Sequence, residues 1–349
     1  MQVCRRWCSV QGRAALVVSL VCGAWPAARA AETPAAAADA FAQNARLGRG
    51  VNIIGYDPIW KDRARGRFQA EHFALIAGAG FNHVRINLHP YRDARLDAQH
   101  TLSDAYLATL DWALDQALAA KLMVILDFHE FTAMARDPRG KKERYLAIWA
   151  QIAERCRTRP PEVLFELLNE PNGELTPELW NEFLREALAL VRRTNPNRTV
   201  IIGPGQWNGI GQLGKLALPA DDRNIIVTVH YYSPMEFTHQ GAPWTGQKDK
   251  LGVPWDGTPE QLDAIARDFD KAAAWAAKEK RPIYLGEFGA YDKAEMAARV
   301  RYIGAVARAA EKRGWSWGYW QFDSDFILYD IPGKRWIEPI RDALVPPRQ

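Results

Sequence analysis

Two glutamates stand out by where they fall. Glu170 lies in Leu168-Asn169-Glu170-Pro171 and Glu287 in Leu285-Gly286-Glu287-Phe288-Gly289, each just past a short apolar run, Val163-Leu164-Phe165 and Ile283-Tyr284-Leu285. A carboxyl at the end of a buried strand projects from the rim of a sheet, where a second one can meet it. If the two face each other across a cleft, one can hold a proton while the other holds a charge. That division of labour suits displacement at an acetal carbon, the link between two sugars. On this reading Glu170, where Pro171 breaks the strand, protonates the departing oxygen, and Glu287 attacks as nucleophile to form a covalent intermediate. To keep its proton at mild pH, Glu170 needs burial or a nearby negative charge, which Glu287 is expected to supply. Esterification of Glu287 removes that charge and leaves Glu170 free to act as base toward water.

Other residues form a supporting set. Arg85 is a cation on the otherwise apolar Val84-Arg85-Ile86, and a buried arginine needs an anion, here Glu287. His129 and His230 end apolar runs and suit hydrogen bonds to ligand hydroxyls, with core packing as the alternative. Tyr232 is placed to hydrogen-bond the nucleophile and Asn169 to meet a sugar hydroxyl. Trp320 and Trp244 suit stacking on the apolar faces of pyranose rings, although several of the 14 tryptophans must belong to the core.

The elements that would position these groups are legible as a series. Strand-like runs fall at 50–54, 83–88, 123–128, 163–168, 199–203, 225–231, 282–286 and 315–321, near-continuously apolar as in a parallel sheet covered on both faces. Between them lie helical patterns. Leu107, Leu110, Leu114 and Leu118 follow a cap at Ser103 or Asp104, and Thr176-Pro177 opens a helix over 178–193. Leu262, Ile265, Phe269 and Ala273 make a further stripe, as do Val300, Ile303 and Val306. Strict alternation repeated eight times predicts a single closed (β/α)8 barrel rather than an open doubly wound sheet. Closure alone would bring six strand ends to one point. The long Trp-, Gly- and Pro-containing connection 233–259 is expected to wall the cleft.

The chain has 349 residues, 48% of them hydrophobic and 25% charged. Residues 1–30 carry Arg5, Arg6 and Arg13, an apolar stretch over 14–25 and Ala28-Arg29-Ala30, the pattern of a secretory signal and too short for a spanning helix. Without them the formal charge of +4 falls to zero, so no nucleic-acid partner is expected. Only Cys156 of the four cysteines remains, so no internal disulfide is expected, and its helical context suggests buried packing. Residues 31–47 read as an alanine-rich, flexible lead-in, and 48–349 as the catalytic domain. The mature protein is expected to be secreted or periplasmic, monomeric, free of the membrane, and to use no cofactor or metal.

The strings Val84-Arg85-Ile86, Asn169-Glu170-Pro171, His230-Tyr231-Tyr232, Gly286-Glu287-Phe288-Gly289 and Trp317-Gly318-Tyr319-Trp320 resemble the motifs of glycoside hydrolase family 5, in the same order. The resemblance spans about 48 to 345 and implies a (β/α)8 barrel of retaining enzymes, many of them endo-β-1,4-glucanases and some β-mannanases. It implies Glu170 as acid/base and Glu287 as nucleophile, with Arg85, His129, Asn169, His230, Tyr232 and Trp320 around the cleaved bond. The stretch 232–244 is similar to a bacterial endoglucanase branch that also accepts mannan. Two departures fall on the non-reducing side: Glu130 stands where a second histidine is common, and Gly55-Tyr56-Asp57-Pro58-Ile59-Trp60 lacks the usual polar pattern. Rival readings are a metal-dependent hydrolase using His129, Glu170, His230 and Glu287, and a polysaccharide-binding barrel without turnover.

Overall fold

The computed structural model describes residues 39–347. The signal-peptide reading of 1–30 lies outside the described residues. Eight strands run β1 (Arg49–Ile53), β2 (His83–Leu88), β3 (Met123–Phe128), β4 (Val163–Glu166), β5 (Val200–Ile202), β6 (Ile225–Tyr231), β7 (Ile283–Phe288) and β8 (Ser316–Tyr319). Each pairs in parallel with the next, and β8 closes on β1 with Arg49 opposite Trp317. All eight expected strands are present and the sheet is a closed barrel, not an open one.

Helices cover the outside. Ser103 caps Asp104–Ala119 by accepting from the Tyr106 amide, and Thr176 caps Pro177–Thr194 by accepting from that of Leu179. Thr258 and Gln261 form a reciprocal capping box on Pro259–Glu279, and Met296–Glu311 follows β7. The alternation is less strict than expected after β5, where the crossover holds only a four-residue turn, Gly205–Asn208, and a 3₁₀ segment, Ile210–Lys215. Gly205, Gly209, Gly211 and Gly214 explain this, since each glycine in a helix interior costs about 1 kcal/mol relative to alanine. Among the described residues, no helix is long and apolar enough to cross a membrane.

The lead-in expectation for 31–47 requires correction over 39–47, while 31–38 lie outside the described residues. Ala40–Leu47 is a helix, α1, capped by Asp39 through the Phe41 amide. It is held against the N-terminal end of the barrel, where Asn44 Nδ2 donates to the Ile283 carbonyl at 2.9 Å and Ser316 Oγ donates to Asn44 Oδ1 at 2.6 Å. Ala40 and Leu47 close an apolar layer with Met123, Ile125, Leu164, Ile201, Ile226 and Tyr284. Tertiary contact therefore orders a segment whose composition reads as a linker.

Side chains alternate along each strand, so inward positions recur every second residue. On β3 these are Met123, Ile125 and Asp127, followed by His129. On β2 they are His83, Arg85 and Asn87, followed by His89, while Val84, Ile86 and Leu88 pack outward against the helices. Apart from His83, which bonds the Leu47 carbonyl and the Tyr284 hydroxyl, the barrel interior changes from apolar at its N-terminal end to polar at its C-terminal end. The catalytic candidates sit at that polar end.

Candidate active site

Arg85 occupies the centre of the polar layer and is fully buried. Its Nε and Nη2 grip Glu166 at 2.7 and 2.9 Å, and Nη1 donates to Glu287 Oε1 at 2.7 Å and to Asn52 Oδ1 at 2.7 Å. Nη2 also donates to Asn169 Oδ1 at 2.8 Å and lies 3.1 Å from Asp127 Oδ2. Burial works against the guanidinium charge, but Asp127, Glu166 and Glu287 outweigh it and hold its pKa above the ordinary value. The expected Arg85–Glu287 contact is present, but the cation is shared among three carboxylates. Asp127 and Glu166 themselves, buried and close together, are pushed upward.

Glu170 adopts φ +41°, a left-handed value that costs a non-glycine residue about 1–3 kcal/mol. Asn172 Nδ2 holds its carbonyl at 2.8 Å. His230 Nδ1 lies 2.8 Å from Glu170 Oε1 and 3.6 Å from Glu287 Oε2, and Tyr232 Oη donates to Glu287 Oε2 at 3.1 Å. One oxygen of each carboxyl and one ring nitrogen of His230 all lie within 4.8 Å of one another. The pairing of β6 with β7 shifts register between Val229 and His230, which sets His230 directly opposite Glu287. Among the described residues this trio is also the cluster whose donor atoms could close on one cation. A metal bound there would compete with the hydrogen bond between His230 and Glu170.

Glu170 is pushed up to about 8, chiefly by burial; Arg85 opposes this, and Asp127 and Glu166 add to it. Glu287 is pushed up to about 7, again chiefly by burial, with His230 and Arg85 opposing and Glu170 adding. Glu287 was expected to supply the charge that raises Glu170; burial comes first for both carboxyls, and the repulsion between them adds to it. Both carboxyls are pushed upward and close enough to titrate as a coupled pair.

The remaining expected residues are distributed around this centre. His129 is neutral, its pKa held down by burial and then by Arg85; its Nδ1 is 2.5 Å from Asp127 Oδ2. Its ring stacks on Trp320 with centroids 5.3 Å apart and planes 9° from parallel. Asn169 is fully buried, with Nδ2 facing His129 Nε2 at 3.4 Å. Trp244 is 54% exposed and packs edge-on against Tyr291 at 5.0 Å, on the rim rather than beside the carboxyls. Tyr291, Phe326 and Tyr232 continue that aromatic line inward to Glu287. Cys156 is buried packing, as expected, and burial pushes its thiol up to about 11.

Sequence reasoning missed Asn52, Asp127, Glu166, Trp207 and Asn208, and met Tyr56 only as part of the loop 55–60 on the non-reducing side. The signal for Asp127 and Glu166 was the one that found Arg85, a charged residue inside an apolar strand. Trp207 is 53% exposed on the rim, and its amide donates to the carbonyl of Pro171, the residue after Glu170, at 3.2 Å. Tyr56 is half-exposed, packed on His89 at 5.0 Å and covered by the Arg92 guanidinium at 5.3 Å. Its hydroxyl is pushed up to about 12 by burial and then by Glu287, with Glu170 adding, which places the ring within electrostatic reach of both carboxyls. Glu130 is turned away from such a role: its Oε1 accepts from the Tyr91 amide at 2.6 Å, and burial pushes it up to about 7.

A closed (β/α)8 barrel with two carboxyls meeting at the C-terminal ends of β4 and β7 defines the class of two-carboxylate glycoside hydrolases. The chain belongs to the cellulase family, glycosyl hydrolase family 5, whose model matches residues 45–325. It is 31% identical to Endoglucanase H of Acetivibrio thermocellus over 89% of its length and 27% identical to Endoglucanase 3 of Fibrobacter succinogenes over 85%. It spans 34% and 52% of the lengths of those two relatives. Structures of Thermotoga maritima Cel5A in complex with cellobiose and with mannotriose superpose with a TM-score of 0.83 at 41% identity, covering 88% of this chain and 100% of theirs.

Proposed function

We propose that the protein is an exported, monomeric endo-β-1,4-glucanase that cleaves with retention of anomeric configuration and without a metal. The observation carrying this reading is the closeness of the two carboxyls, with one oxygen of each inside the 4.8 Å cluster. Retaining enzymes place the pair about 5 Å apart, whereas inverting ones leave roughly 6.5–9.5 Å for a water between them.

The proposed reaction is a double displacement at the anomeric carbon. Glu287 Oε2, held by Tyr232, attacks the anomeric carbon as Glu170 donates its proton to the leaving oxygen. The C–O bond to the departing sugar breaks and an ester to Glu287 forms. Glu170, now ionised, takes a proton from water, whose oxygen attacks the same carbon and displaces Glu287 as a carboxylate. Arg85 holds Glu287 Oε1 throughout and orients the nucleophile. The polymer enters along the aromatic rim formed by Tyr56, Trp207 and Trp244.

The family and its named endoglucanases support a β-1,4-glucan substrate. The mannotriose complex of Cel5A makes mannan the comparison to run. A panel of β-1,4-linked gluco- and manno-oligosaccharides, with products sized and their anomers read by NMR as they form, tests the reading. Internal cuts with initial β-anomers are expected; α-anomers would overturn retention, and no new reducing ends would leave only a binding protein. Export is tested by the N-terminal sequence of the mature protein, which is expected to begin after Ala30.

A further inference from the structure

The unexplained feature nearest the chemistry is a buried amide behind His230. Asn208 is fully buried and its Nδ2 lies 3.3 Å from His230 Nε2, on the ring edge opposite Glu170. It reaches that place through three successive left-handed residues, Gln206, Trp207 and Asn208, with φ of 53°, 58° and 54°. Gly209 then pairs with His230 as an added rung on β6. Two glycines make room for the arrangement. A Cβ on Gly203 would meet Asn208 Oδ1 at 2.1 Å, and one on Gly286 would meet His230 Nε2 at 3.0 Å. Backbone strain and two bare backbones converge on one hydrogen bond.

We infer that Asn208 is a positioning residue that holds His230 as the Nδ1–H tautomer and thereby decides which oxygen of Glu170 carries the acidic proton. The inference rests on the acid/base reading of Glu170 and extends it. The Nδ1 edge of His230 faces two carboxyl oxygens, from Glu170 and Glu287, so the ring proton belongs there. A neutral imidazole then has a bare Nε2, which only a donor can satisfy, and the Asn208 amide supplies it. The neutral form is the favoured one: burial lowers the His230 pKa, Glu287, Glu166 and Asp127 oppose this, and Arg85 reinforces it. With Nδ1–H donating to Oε1, that oxygen stays an acceptor, and the transferable proton must sit on Oε2, the oxygen left for the glycosidic link. The opposite tautomer would turn a bare Nδ1 toward Oε1, draw the proton there and aim it at the ring.

The test reads the tautomer directly, apart from turnover. Nitrogen-15 NMR of the full-length protein, with His230→Gln to identify the signal among the seven histidines, is expected to show Nδ1 protonated and Nε2 bare at pH 6–7. A protonated Nε2 in the neutral ring would overturn the inference whatever the enzyme hydrolyses. Asn208→Asp tolerates the left-handed backbone but offers only acceptors. It is expected to protonate both ring nitrogens and, by placing a cation beside Glu170, to move the alkaline limb of kcat/KM down by about one pH unit or more. Asn208→Gly keeps the backbone and deletes the amide, and is expected to mix the tautomers. If both variants fold and leave the His230 signals and the pH profile as in the parent, Asn208 is only packing. If neither folds, the spectrum of the unaltered protein decides alone.

Discussion

Arg85 Nη1 and Glu287 Oε1 meet at 2.7 Å across the barrel, from the middle of β2 to the end of β7. The other edge of the same guanidinium is locked by two contacts to Glu166. The cation is therefore a fixed strut, and Glu287 receives one of its donors rather than a bidentate clamp. A carboxylate held this way is oriented and kept ionisable while its other oxygen is not taken up by the cation.

Replacing Arg85 with lysine removes the planar fork and cannot hold Glu166, Asn169 and Glu287 together. The expected result is a fall in kcat of about a hundredfold or more on soluble cellulose derivatives. Arg85→Ala should also cost about 3–5 kcal/mol in denaturant titration at neutral pH, because Asp127 and Glu166 lose their shared cation. That loss should shrink as the pH is lowered, because those two upward-shifted carboxyls take up protons more readily than ordinary ones.

Glu287→Ala should abolish hydrolysis, with azide restoring turnover of an activated aryl glycoside to give the inverted azide product. Glu170→Ala should keep its glycosylation step on substrates with good leaving groups, since these need no proton, and should then be rescued by azide with retention. Product anomers read by NMR check both. Normal cutting of polysaccharide by Glu287→Ala would falsify the mechanism.

The activity profile should lie above the usual carboxyl range. Its acid limb follows ionisation of the pair's stronger acid, Glu287, and its alkaline limb loss of the Glu170 proton near pH 8. Stability carries a matching sign. Glu170 binds its proton more tightly folded than unfolded, so its contribution is fully present below about pH 4.5 and is lost as pH rises toward 8. Glu170→Gln should therefore flatten the fall in melting temperature between pH 5 and 9 and leave the acid side unchanged.

Tyr56→Ala and Trp244→Ala should raise KM on long oligosaccharides by roughly threefold to tenfold, the scale of one lost stacking contact, with little change in kcat on short activated substrates. Kinetics on a length series of oligosaccharides separate the two. The Tyr56 effect should appear already with the shorter members, because that ring is nearer the carboxyls.

Prolonged dialysis against a chelator should leave activity unchanged, since each member of the Glu170, His230 and Glu287 trio already has a protein partner. Activity lost on dialysis and recovered with one divalent ion would replace the covalent route with a metal-assisted one.

Much of this protein was determined by its sequence alone. Eight apolar runs of strand length, separated by capped helical stripes, leave few ways to bury both faces except a closed parallel barrel. Glu170, Glu287 and Arg85 were legible because an ionised group ending or interrupting such a run must find a partner or a purpose. The alternation in His83-Val84-Arg85-Ile86-Asn87-Leu88-His89 held more than was taken from it, since its odd positions are all polar and all turn inward. What tertiary structure alone decided is how those groups meet. Closure gave Arg85 three anions instead of one, and the register shift at Val229/His230 set the histidine opposite the nucleophile. Burial, more than mutual repulsion, raised the two carboxyls. The α1 helix was hidden for the same reason: its order comes from Asn44 and Leu47 docking on strands far away in the chain, and no local pattern records that contact.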